Sequence, residues 1–186
     1  MGTPYGLALI AGTSPPIRKT SSYLEARLYA GLASTNKALS APGSKKIMDY
    51  TCVAHAFRTE LENQKDLDQL PSHLKSFPRG CCGVVSELLG DYLSSQLGLQ
   101  VDYVCGEKDG GSHAWIECDG VIIDITSDQF EGRPPVYIAA GDSWYSSWEE
   151  ASRHPAVHHP GAWTYREERA VLRAVLIGAG FPISDL

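Results

Sequence analysis

Residues 112–126 read SHAWIECDGVIIDIT, and the Asp119-Gly120 step at their centre constrains the fold more than any other feature of the chain. Asp-Gly between two runs rich in β-branched and aromatic residues marks a two-residue hairpin turn, whose central positions both need positive φ. A turn of that length also fixes the register. Cys118 then faces Val121, Trp115 faces Asp124, and His113 faces Thr126. Side chains alternate along a strand, so His113, Trp115 and Glu117 share a sheet face with Ile122 and Asp124. His113 and Asp124 become diagonal neighbours within reach of each other. A turn one residue longer would put them on opposite faces.

An imidazole held by a carboxylate is the base that a thiol nucleophile requires, because the carboxylate fixes the tautomer and supports the imidazolium. A thiol stands upstream in RGCCGVVS, residues 79–86. Adjacent cysteines do not bond to each other without straining the backbone. A helix is predicted from Cys82 to Leu97, with Val85, Leu88, Leu89, Tyr92 and Leu93 on its buried side and Gly98 ending it. A thiol in the first helical turn meets unpaired N–H groups and the positive end of the macrodipole. Both favour thiolate, and the same N–H groups can stabilise an oxyanion. Gly80 and Gly83 leave room for a substrate backbone. The competing reading of the doublet is buried packing, since free cysteine is often buried.

The rest of the chain frames this pair. Helices are predicted over Ser21–Ala33 and Ser44–Leu61, the latter with Ile47, Tyr50, Ala54, Phe57 and Leu61 at helical spacing. From Asn63 to Gly80 the chain is polar and broken by Pro71 and Pro78, which reads as a long approach loop. Strands are predicted in LQVDYVCG, SHAWIECD, GVIIDIT and PVYIAA. Residues 141–165 match no clear pattern, and EERAVLRAVLIGA fits either a helix or a strand. Helices first and antiparallel strands later indicate α+β. With 186 residues the chain is read as one domain: 1–78 mainly helical, 79–140 the catalytic core, and 141–186 a C-terminal part.

Charge narrows the partners. Residues 1–80 carry ten Lys/Arg against six Asp/Glu, and residues 81–186 carry six against sixteen. So acidic a half is a poor surface for nucleic acid, whose binding depends on phosphate neutralisation. It suits a protein or peptide partner, a basic one in particular. No run of about 18 apolar residues exists to span a membrane. The segment MGTPYGLALIAGTSPP has no basic residue before its apolar run, so no secretory signal is expected. Five cysteines, an odd number, point to free thiols in a reducing compartment. A cytoplasmic location is expected, or that of an effector exported without such a signal.

Other clusters invite chemistry less strongly. Cys52 and His55, three apart on one helix, make half a zinc site, but no CxxC completes it, and both are expected to be surface or interface residues. No metal or cofactor is expected. His154, His158 and His159 lie between prolines and are expected to be solvated loop residues. Cys105 and Cys118 are expected in the core, and Trp144, Trp148 and Trp163 to serve packing.

GCCGVVS resembles the nucleophile turn of papain-like cysteine proteases, with glycine two residues before the cysteine and serine four after it. HAW at 113–115 and DIT at 124–126 resemble the histidine and aspartate strands of the transglutaminase-like branch of that superfamily. The chain is also similar in this respect to bacterial papain-fold toxins and effectors and to lasso-peptide leader peptidases. The match covers residues 78–130 and runs in the superfamily's order. It implies a nucleophile helix packed on an antiparallel sheet, with Cys82 as nucleophile, His113 as base and Asp124 as orienting group. The spacing selects Cys82, because the residue four after Cys81 is Val85. The implied activity is amide hydrolysis through a thioester, with proteolysis first and glutamine deamidation or transamidation as alternatives; an inactive papain-like binding module is another. Ser76 stands where papain-like proteases place an oxyanion-donating glutamine, and Gly83 where they place tryptophan. The Cys82 N–H is one oxyanion donor, and the second is left open among Gln129, Gln64 and Gln69.

Overall fold

The structure, a computed structural model, describes residues 42–181 and 183, with side chains from Tyr50 onward. The predicted helix over Ser21–Ala33 lies outside the described residues. Among the described residues the fold is α+β: three helices, α1 (Pro42–Asp66), α2 (Cys82–Leu97) and α3 (Tyr165–Ala179), and five strands. The strands are β1 (Val101–Lys108), β2 (Gly111–Cys118), β3 (Val121–Asp124), β4 (Tyr137–Ala139) and β5 (Glu149–Pro155). They form one antiparallel sheet in the order β4-β3-β2-β1-β5. No helix among the described residues is long and apolar enough to cross a membrane.

The Asp119-Gly120 turn has φ of 50° and 78° at its two residues, and Cys118 pairs with Val121 as the two-residue turn requires. Alternation then sorts the β2 and β3 side chains. Ile116, Cys118 and Ile123 face the helices and join a core with Phe57, Leu89 and Leu172. Trp115 and Ile122 face the other way, where Val104 and Tyr145 complete a second, aromatic-rich cluster flanked by Tyr137, Trp144 and Trp148. Both sheet faces are therefore covered, one by helices and one by the segment between β4 and β5.

Helix α2 lies against β1 and β2 and approaches them closely at Gly90. A Cβ there would stand 2.3 Å from the Ala156 Cβ and 3.3 Å from Ile116. Alanine is ordinarily the better helix former by about 1 kcal/mol. Here Gly90→Ala is expected to destabilise the fold by about 1–3 kcal/mol, because the overpacking falls on the Ala156 Cβ, just past β5, which cannot swing aside like the end of a flexible side chain. Urea unfolding with an unchanged slope and a lower midpoint would register it.

Several elements differ from the sequence-based expectation. The approach loop is less solvated than its composition implies: Leu70, Leu74 and Phe77 are all buried, and a single 3-10 turn spans Ser72–Leu74. β5, in the unassigned segment, is an edge strand exposed along its whole length, so it carries no alternating pattern. The ambiguous C-terminal run is helix α3. His158 is not a solvated loop residue: it is buried, its Nε2 2.7 Å from Glu168 Oε2, and it stacks on Tyr165. Thr164 donates to the other oxygen of Glu168 at 2.6 Å, so one buried carboxylate pins both ends of the 158–164 loop. Trp163, expected to pack, is fully exposed beside the end of that loop.

Candidate active site

The end of β3 creates the opening in which the site is assembled. β3 pairs with β2 only from Ile116 to Cys118, so the first half of β2 has no neighbour on that side. The first turn of α2 enters this gap. Ser86, buried one turn into the helix, donates to the Ala114 carbonyl at 3.3 Å and ties the helix to β2. The His113 ring and the backbone N–H groups of Ala114 and Gly83 lie close enough to the Cys82 sulfur to favour its thiolate. A residue from the helix side thus reaches one from the opposite face of the sheet.

His113 is completely buried, and its Nε2 lies 2.6 Å from Asp124 Oδ2. That leaves Nδ1 as the nitrogen facing Cys82. Asp124 is saturated with donors. Its Oδ1 accepts the Thr126 N–H at 2.8 Å and the Thr126 hydroxyl at 3.0 Å, and its Oδ2 also accepts the Tyr145 hydroxyl at 3.0 Å. Such a shell suits a carboxylate that only accepts, so Nε2 of His113 carries the proton and Nδ1 presents its lone pair to the thiol. Burial, and next the negative charge of Asp124, hold the Tyr145 hydroxyl far above its usual range, which keeps it a donor. Trp115, Phe130, Trp144 and Trp148 surround the imidazole with ring centroids 4.9–5.8 Å away.

The electrostatics of the two cysteines diverge. Burial pushes the Cys82 thiol up, but the hydrogen bond and charge of His113, with the two backbone N–H groups, outweigh it and hold the thiol below its ordinary value. Burial likewise favours neutral His113, and the Asp124 and Cys82 contacts override that to raise it to about 9. Cys81 is different. It is buried, its sulfur sits 3.3 Å from the Arg79 carbonyl and 3.7 Å from that of Leu74, and burial followed by the nearby Cys82 charge raises it to about 11. One thiol is prepared for ionisation and its neighbour is kept protonated.

Of the glutamines considered from sequence, Gln129 is the one placed against His113. It ends a 3-10 turn over Ser127–Gln129, and its Nε2 lies 3.2 Å from His113 Nδ1. Arg58 of α1 holds this turn by a bidentate pair with Asp128, at 2.7 Å to each oxygen, and by donating to the Ile125 carbonyl at 2.8 Å. Tyr145 and Arg58 went unremarked in the sequence, where neither sits in a motif. Cys52 is half-buried and His55 exposed, and among the described residues no group of three or more His, Cys, Asp or Glu is arranged to hold a metal ion. Cys118 is buried and Cys105 half-buried. Comparison with family models, curated proteins and solved structures yields no match to this chain.

Proposed function

We propose that the chain is a cysteine-dependent hydrolase of the papain-like or transglutaminase-like kind, cleaving an amide, in the first instance a peptide bond, through a thioester. The observation that carries this reading is the unbroken chain Asp124–His113–Cys82, ending on a thiol at the first turn of a helix. His113 Nδ1 takes the Cys82 proton, and the thiolate attacks the carbonyl carbon. Backbone N–H groups of the first turn of α2 stabilise the resulting oxyanion. The imidazolium passes its proton to the leaving amine, giving the thioester, and water activated by the same imidazole releases the acid and restores the thiol. The acidic balance of residues 81–186 favours basic peptides.

The test is a screen of peptide and protein substrates with the wild type and a Cys82→Ala control. Cleavage or loss of ammonia that requires Cys82 supports the reading, and a Cys82-bound acyl adduct trapped at low pH secures it. Activity that survives in Cys82→Ala overturns it.

The pH dependence is also specified. Amide hydrolysis is expected to be bell-shaped, rising with Cys82 ionisation below the ordinary thiol range and falling near pH 9 as His113 loses its proton. Stability follows the same groups. The raised His113 contributes fully below about 6.5, its unperturbed value, and that contribution is lost as pH rises through about 9. The lowered Cys82 contributes above its unperturbed value, and that contribution is lost as pH falls through its folded one. Thermal melts and initial rates measured over the same pH series separate the two effects.

A further inference from the structure

Gln129 makes three contacts with one amide. Its Nε2 donates to the Thr126 carbonyl at 3.0 Å and lies 3.2 Å from His113 Nδ1, while its Oε1 accepts the Gly80 N–H at 3.4 Å. The Thr126 and Gly80 contacts fix the orientation of the amide. Turned over, it would set an oxygen against the Thr126 carbonyl and an NH₂ against the Gly80 N–H. A donor therefore faces Nδ1, the atom that must accept the Cys82 proton. The contact is favourable while Nδ1 bears a lone pair and unfavourable once it bears hydrogen.

We propose that Gln129 is a positioning residue that competes with the Cys82 proton for His113 Nδ1, restraining the thiolate–imidazolium pair until a substrate carbonyl draws its amide N–H away. The inference rests on Cys82 and His113 acting as the pair proposed above. Gly80 belongs to the turn that carries the nucleophile, so the same amide that restrains the base also touches the loop beside which a substrate carbonyl would lie. Arg58, through Asp128, keeps the Gln129 turn in place.

The surroundings leave few other groups to set this balance. Facing His113 are Asp124 of β3 and Cys82 of α2; Tyr145 reaches it only through Asp124, and the other side chains against the ring are aromatic. Arg133 stacks over Tyr137, Trp144 and Tyr145 and pairs with Asp142, at the outer side of that aromatic layer. On the Cys82 side stand Tyr103 and Cys105 of β1, both raised first by burial and so uncharged at neutral pH. Glu87, further along α2, is also raised first by burial.

The experiment is iodoacetamide alkylation of the full chain across pH, with the Cys82 adduct quantified by mass spectrometry in the wild type, His113→Ala, Gln129→Ala and Gln129→Glu. The donor favours only the state in which Nδ1 bears a lone pair, so its removal in Gln129→Ala is expected to raise the plateau rate of Cys82 alkylation, above the low-pH step, by about 3–10-fold. Gln129→Glu is expected to raise the plateau too, because a carboxylate accepts the Nδ1–H that the amide opposes. A glutamine that merely braces the site predicts the opposite sign: its loss loosens the thiol–imidazole contact and lowers the plateau. A lowered or unchanged plateau overturns the role of Gln129 while leaving the pair intact. A wild-type step insensitive to His113→Ala overturns the pair and this inference with it. Gln129→Glu is nearly isosteric and carries the test alone if Gln129→Ala fails to fold.

Discussion

Cys82→Ala is expected to abolish amide turnover, a loss of at least about 10⁴-fold, while Cys81→Ser leaves turnover within a few-fold of wild type. The contrast is sharp because the residues are adjacent and chemically identical, so only their surroundings distinguish them. Two backbone N–H groups and the His113 ring lie close to the Cys82 sulfur, and all of them favour thiolate. Carbonyl oxygens surround the Cys81 sulfur, so it serves as a weak donor that burial keeps protonated. A serine hydroxyl can donate to the same carbonyls, so Cys81→Ser is expected to cost about 1 kcal/mol of stability or less. Initial rates on any substrate found by the screen, beside a denaturation curve for each variant, decide the matter. A folded Cys81→Ser variant as inactive as Cys82→Ala would contradict the assignment.

Asp124→Asn is expected to lower turnover by about 10³–10⁴-fold with the fold retained. Two Thr126 donors hold one oxygen of the present carboxylate, so an asparagine keeps its carbonyl there and turns its NH₂ toward His113 Nε2 and the Tyr145 hydroxyl. Nε2 must then become the acceptor, and the proton moves to Nδ1. The imidazole would present a hydrogen, not a lone pair, to the thiol. Tyr145→Phe removes one donor without changing the tautomer, so its effect is expected to be far smaller. Comparing the two variants by turnover and by melting temperature separates loss of the correct tautomer from loss of packing.

The legible part of this structure was the part with short-range causes. A two-residue turn at Asp119-Gly120 needs positive φ at both positions, and that alone set the β2–β3 register at Cys118 and Val121. The helix from Cys82 to Leu97 followed from apolar spacing and a terminal glycine in left-handed conformation at Gly98. The register also foretold that His113 and Asp124 would meet. What escaped depends on distant partners. His158 is buried because Glu168, a full loop away on α3, reaches back to it, and nothing in HPAVHHP announces that carboxylate. β5 has solvent on all its side chains, so hydrophobic alternation could not reveal it. Gln129 could be named only as one of three glutamines. What places it against His113 is a 3-10 turn fastened by Arg58 from a helix some seventy residues earlier.

The aromatic layer behind His113 gives the site its stiffness. Phe130, Trp144 and Trp148 pack edge-on to one another and around the imidazole, and Tyr145 turns from that layer to Asp124. Excluding water in this way strengthens the His113–Asp124 contact and leaves Nδ1 to the thiol and the Gln129 amide. The same burial would penalise an unpaired imidazolium, so the charged state of His113 depends on Asp124 on one side and Cys82 on the other.

The coupling of Cys82 to His113 is open to one direct measurement: iodoacetamide labelling near neutral pH, mapped over all five cysteines, in the wild type and in His113→Ala. Selective modification of Cys82 in the wild type, with that selectivity lost in His113→Ala, is the expected result. Slow and uniform labelling of every accessible cysteine, or Cys82 labelling that His113→Ala leaves unchanged, would contradict it.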